Sequence, residues 1–182
     1  MFQGLALPSR RDRPATVTTT SPAAGTPATY VIALGSNRRG RHGSPEDEIA
    51  AALALLQPRA VSPILRTAPL GPSKRRFANA AAVLETRDDP PALLARLKAI
   101  ERSFGRRPGR TWGMRVIDLD IILWSGGAWG ETALTIPHPH FRARDFVLRP
   151  LLAIAPDWRD PISGRTVRQL FTRLTAPHRI PR

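Results

Sequence analysis

The sequence predicts an α+β domain built on an antiparallel sheet, with helices packed on it and a C-terminal extension. Three observations predict it. Strand-type apolar runs alternate with helix-type spacing in the order β-α-β-β-α-β, capping and turn residues mark the boundaries, and 42% of the 182 residues are hydrophobic, enough for one core.

The elements follow in order. Tyr30-Val-Ile-Ala-Leu34 is rich in β-formers and stops at the turn signal Gly35-Ser-Asn37. Ser44, then Pro45 and acids at 46 to 48, start a helix in which Ile49, Leu53 and Leu56 keep helical spacing until Pro58. A second strand is expected over Ala60 to Arg66 and, after the loop 67–76, a third from Phe77 to Glu85. Asp89 and Pro90 open a second helix with Leu93, Leu94, Leu97, Ile100 and Phe104 on one face, and Gly105 closes it. Val116 to Trp124 reads as a buried strand. This is the ferredoxin-like plan, with helices on one face of the sheet. Beyond it, Phe146 to Ile154 is expected to be helical in part, and a last short helix is expected near Thr166 to Leu174.

The domain is expected over residues 30–182, and 1–29 as a disordered extension. Arg10, Arg11 and Arg13 follow a weak apolar patch rather than precede one, and Pro14, Pro22 and Pro27 oppose an amphipathic helix. No apolar run approaches the roughly 18–20 residues of a membrane span. Cysteine is absent, which excludes disulfides, thiol catalysis and cysteine-ligated metal, and suits the cytoplasm. Lys and Arg number 28 against 14 Asp and Glu, a net charge of +14 that draws polyanions without choosing among nucleotide, nucleic acid and anionic surface.

Chemistry concentrates at Asp118-Leu-Asp120. On a strand, residues two apart share a face at about 6.5–7 Å, and two carboxylates there repel each other unless a cation neutralises them. Magnesium meets that demand with one or two carboxylates plus substrate phosphates; a structural pairing of one aspartate with an arginine is the alternative. Just upstream, Arg106, Arg107, Arg110 and Arg115 stand among Gly105, Gly109 and Gly113, forks of donors on a flexible loop beside the acids, as phosphoryl transfer requires; a solvated basic loop is the alternative. Trp112 in that loop suggests a ring or partner surface. Ile136-Pro-His138-Pro-His140 holds at least one imidazole in rigid extended backbone, and Asn79 within an apolar strand either ties down a loop or reads a heterocycle's polar edge.

Taken together, Tyr30-Val-Ile-Ala-Leu-Gly-Ser-Asn37, Arg66-Thr-Ala-Pro-Leu-Gly-Pro72, Phe77-Ala-Asn79, Ile100-Glu-Arg-Ser-Phe-Gly-Arg106, Trp112-Gly-Met-Arg-Val-Ile-Asp-Leu-Asp-Ile121, Ile136-Pro-His-Pro139 and Arg144-Asp-Phe-Val-Leu148 resemble the 6-hydroxymethyl-7,8-dihydropterin pyrophosphokinase family, in family order from about residue 30 to 157. The resemblance implies transfer of the terminal diphosphate of ATP to the hydroxymethyl group of a reduced pterin, with AMP leaving. It implies that Asp118 and Asp120 hold two magnesium ions against the ATP phosphates, and that Arg106 and Arg115 grip those phosphates with His138 and Arg144. Lys98, Glu101, Ile121 and Thr135 are placed with the nucleotide. The pterin is placed between Phe146 and Phe77, its polar edge read by Asn79 and by the backbone of Thr67, Ala68 and Leu70, with Trp112 closing over it. The implied protein is a monomer acting on small molecules, without membrane or nucleic acid.

Departures from the family pattern stand at Lys98 (usually Gln), Thr111 (usually Arg), Met114 (usually Pro), Val116 (usually Thr) and the basic segment 73–76. They motivate a second reading, a pterin-binding homologue with weakened catalysis. A third, from the charge, is an RNA-binding module on the same plan; Asp118 and Asp120 oppose it, because they occupy a strand on which bases would stack.

Overall fold

The structure, a computed structural model, describes residues 26–68, 76–105 and 116–177. Alternation sets the centre of the sheet. In β1 (Ala28–Ser36), Tyr30, Ile32 and Leu34 point into one core and Val31 into another, so the strand is covered on both faces. It begins at Ala28, ahead of the expected Tyr30.

A capping box between Ser44 and Asp47 starts α1 (Pro45–Leu56), and Gln57 ends it with a left-handed φ of 51°. Asp89 caps α2 (Pro90–Ser103), accepting the Ala92 N–H at 2.8 Å. The single strand expected over Ala60 to Arg66 is instead two, β2 (Ala60–Val61) and β3 (Leu65–Thr67), both paired with β4 (Phe77–Thr86). Pro63 has no N–H to give a ladder. Ser62 bridges the gap: its N–H donates to Ala81 O at 2.9 Å, and its Oγ accepts the Ala81 N–H at 2.9 Å. Ser62→Ala is therefore expected to strand a buried donor and cost about 1–3 kcal/mol, seen as a lower urea midpoint at unchanged m-value.

The last strand of the main sheet, β5 (Asp118–Trp124), begins later than the expected Val116. The strand order is β2-β4-β1-β5, with β3 also on β4, and every neighbouring pair is antiparallel. Between the pairs Val31–Leu123 and Ile32–Ile121 the register slips, leaving Ile122 as the extra residue of a bulge.

α1 and α2 cover the face formed by Tyr30, Ile32, Leu34, Leu119 and Ile121. The opposite face is covered too, which corrects the expectation of helices on one face. Val31, Ala81, Ile122 and Leu123 make part of it apolar, and α3 (Asp145–Ile154) buries Val147, Leu148 and Leu151 there, with Phe141 and with α4 (Val167–Thr175) packed on α3. A small hairpin, β6 (Trp129–Glu131) and β7 (Leu134–Ile136), follows β5 and went unforeseen, its strands too short to show a period. No helix among the described residues is long and apolar enough to cross a membrane.

Candidate functional site

One row of residues crosses the sheet. Leu65 lies opposite Asn79, Asn79 opposite Gly35, and Gly35 opposite Asp118; one step on, Ala81, Ala33 and Asp120 form the next row. Residues directly opposite share a face, so Asn79, Asp118 and Asp120 stand on the side of α3, beyond the apolar part that α3 covers. Two strand spacings put Asn79 about 9.5 Å from the aspartate strand. Gly35 and Ala33 between them carry little or no side chain; a Cβ on Gly35 would sit 3.5 Å from Asn79 Oδ1. The result is a shallow trough with a carboxylate pair on one bank and an amide on the other.

The amide bank is tied down. Asn79 is buried and its Nδ2 donates to Thr67 Oγ1 at 2.8 Å, fixing the end of β3, with half-buried Phe77 beside it and exposed Ala68 following. On the α3 side, half-buried Phe146 is capped by the Arg144 guanidinium, 5.8 Å from its ring centroid.

The carboxylate bank has three supports. Glu101, wholly buried, accepts the Leu119 N–H at 2.9 Å and the Lys98 ammonium at 2.8 Å, and that ammonium also reaches Leu119 O at 3.5 Å. Glu48, also wholly buried, accepts the N–H groups of His42 and Gly43 at 2.7 and 3.2 Å, which fastens the loop after β1. Gly40 in that loop passes so close to the start of β5 that a Cβ would come within 2.4 Å of Val116. The bulge carbonyl of Ile122 accepts the His138 N–H at 3.1 Å and lays the proline-framed histidine segment along β5.

His138 is held in one form. Its Nδ1 accepts the His140 N–H at 3.2 Å, which assigns the proton of the neutral ring to Nε2. Burial, then Arg144 and His140, hold its pKa below the ordinary value, against an opposing pull from Asp118. The unfolded state thus binds more protons than the folded one in the window between the lowered value and the ordinary one near 6.5, and this group's effect on stability becomes adverse as pH falls through that window. The expected result in ¹H–¹⁵N spectra is a neutral ring protonated on Nε2 at pH 7, titrating below a free histidine.

Lys98 and Glu101 reach the outer edge of β5 at Leu119, and exposed Thr135 lies on β7, against which α2 and β5 pack; Ile121 is buried beneath α1 and α2 on the side opposite the aspartates. Leu70, Arg106, Trp112 and Arg115 lie outside the described residues. Among those described, no group of three or more His, Cys, Asp or Glu converges as a complete metal cage. Sequence reasoning missed Glu48, Arg142 and Asp160. Arg142, in the 3-10 turn Phe141–Ala143, grips wholly buried Asp160 through Nε at 2.7 Å and Nη2 at 2.6 Å. An acid flanked by Arg159 and Pro161 carries no pattern that marks it as buried; for Glu48 the signal was its place on the apolar face, one residue before Ile49.

The family model described as 7,8-dihydro-6-hydroxymethylpterin-pyrophosphokinase (HPPK) matches residues 31–156. A 2-amino-4-hydroxy-6-hydroxymethyldihydropteridine pyrophosphokinase of Pseudomonas aeruginosa is 42% identical over 147 residues, 77% of this chain and 88% of the relative. Its counterpart from Synechocystis is 38% identical over 146 residues, 79% and 75% of the two chains. Among solved structures, wild-type Plasmodium falciparum HPPK-DHPS superposes with a TM-score of 0.64 over 86% of this chain at 14% identity, and this chain spans 42% of that one. That likeness shows the fold. With most of its folded length inside the family model and with relatives of this identity and coverage, the chain belongs to the 7,8-dihydro-6-hydroxymethylpterin-pyrophosphokinase family.

Proposed function

We infer that the chain transfers the diphosphate of ATP to the hydroxymethyl group of 6-hydroxymethyl-7,8-dihydropterin, releasing AMP, a step of folate biosynthesis. The observation that carries this reading to particular residues is the cross-sheet row, in which Asp118 and Asn79 face the same trough across Gly35. The strand order also supports reading the plan as ferredoxin-like, with β2 and β3 together as its second strand.

Magnesium fits the donor set. Two carboxylates on one face are the number this ion commonly takes from a protein, the other positions going to phosphate oxygens and water. When bound, it withdraws negative charge from the polyphosphate. The chain does the rest by alignment. Asp118 and Asp120 hold the metal side, His138 donates Nε2–H and Arg144 its guanidinium to phosphate oxygens, and Arg106 and Arg115 complete the grip. Phe77, Asn79 and Phe146 seat the pterin so that its hydroxymethyl oxygen faces the β-phosphorus. Neutral His138 donates without adding a charge, leaving the cationic work to arginine.

The test is an ATP-to-AMP assay with and without the reduced pterin, in magnesium and in chelator. AMP and pterin diphosphate should form one to one, only with pterin and metal present. Folded protein that bound pterin yet made no AMP would favour the weakened homologue, and folded protein that bound neither substrate would overturn the assignment.

A further inference from the structure

β5 is an edge strand, and an edge strand exposes every second N–H and C=O pair to whatever lies outside the sheet. Leu119 is such a residue. Its N–H points away from β1 to Glu101, so its neighbours Asp118 and Asp120 are the ones whose backbones bond inward, opposite Gly35 and Ala33. Among the described residues, what lies outside Leu119 is two side chains one helical turn apart on α2. Glu101 Oε1 takes the N–H at 2.9 Å, and Lys98 Nζ approaches the carbonyl at 3.5 Å while bonding the same Glu101 oxygen at 2.8 Å. An acceptor and a donor at this spacing offer Leu119 what a neighbouring strand would offer.

We propose that Lys98 and Glu101 are positioning residues that serve Leu119 as a neighbouring strand would and so hold Asp118 and Asp120 convergent for the divalent cation. This rests on the reading of the aspartates given above. The physical need is specific: two like charges on one face gain by turning apart, and the peptide units on either side of Leu119 are the joints about which they would turn. Bonding the outward N–H and C=O of Leu119 stiffens those joints. Glu101 is wholly buried and Lys98 only one-third exposed on its side chain, so the clamp is built into the molecule rather than hung on its surface.

The two substitutions that matter are Lys98→Met, which keeps the stem and removes the donor, and Lys98→Gln, which keeps a donor without the charge. The quantity to read is the gain in affinity for a non-hydrolysable ATP analogue when Mn²⁺ is added, measured by titration calorimetry, beside the metal-free affinity and amide exchange over 118–120. Lys98→Met should cut the Mn²⁺-dependent gain about tenfold, lower metal-free affinity by clearly less than that, and speed exchange of the Leu119 amide; Lys98→Gln should keep most of the gain. Equal loss of metal-free affinity would mean that Lys98 touches the nucleotide directly, and an unchanged gain in spite of lowered stability would mean a structural role only; either overturns the proposal. If Lys98→Met does not fold, Lys98→Gln with Glu101→Gln decides, since amide-to-amide pairing must preserve the gain. Asp118→Asn serves separately: a gain that survives it refutes the aspartate site itself, whatever Lys98 does.

Discussion

Asp118→Asn is expected to lower kcat about 10³-fold, or about 4 kcal/mol of transition-state stabilisation, with the fold intact. The side chain keeps its size and its half-buried place opposite Gly35, so packing barely changes. What goes is a negative oxygen on the bank to which the proposed function assigns the divalent ion, and an amide is a poor substitute for a hard anionic ligand. Asp120→Asn should do much the same, and the double variant little worse than either, because the pair acts as a unit. AMP release at saturating ATP, pterin and magnesium measures it. A kcat within tenfold of the unmodified protein would remove the aspartates from the chemistry.

Asp160→Ala is expected to cost about 3 kcal/mol of stability, the lower end of what breaking a buried ion pair costs because Arg142 keeps a side-chain exposure of 30%. For a chain of this size that is roughly 6–12 °C in Tm. The loss has several parts. Asp160 accepts both Arg142 nitrogens, the N–H groups of Ile162 and Ser163 at 3.1 and 3.2 Å, and the Ser163 hydroxyl, so one deletion strands a guanidinium and opens a turn. The Arg142 grip also buckles the segment carrying His138 and Arg144 to the C-terminal extension, so KM for ATP should rise with the loss of stability. Burial by itself would raise the Asp160 carboxyl, but Arg142, Ser163 and the Ile162 N–H together bring it below its ordinary value. The sign follows. Its contribution is in full force above the unfolded value near 3.9 and fades as pH falls through the lower folded value. Asp160→Asn should therefore flatten the acid limb of the stability curve below about pH 4, and urea unfolding at pH 7 and pH 3 measures both effects.

Much of the fold was legible because local chemistry dictated it. Ser44-Pro45 and Asp89-Pro90 cap helices wherever they occur, and β1 is too apolar to be anything but central. The pair Asp118 and Asp120 was legible for the same reason, since a period of two puts both on one face whatever surrounds them. Where the reading failed, part of the cause lay far off in the chain. The break at Ser62 depends on a hydrogen bond to Ala81, and the second helical layer depends on an apolar face shared among three strands.

By itself, then, the sequence determined the helices, the long strands, their order, the carboxylate pair and the family, because each is written in short-range spacing and residue type, while the short hairpin and the split of the second strand escaped it. Only the tertiary structure decided that Asn79 faces Asp118 across Gly35, that Glu101 serves Leu119 from α2, and that Asp160 holds the turn beside His138. Those pairings join residues 18 or more positions apart in the chain. Register, burial and crossing helices select such partners, and none of the three leaves a mark on either residue alone.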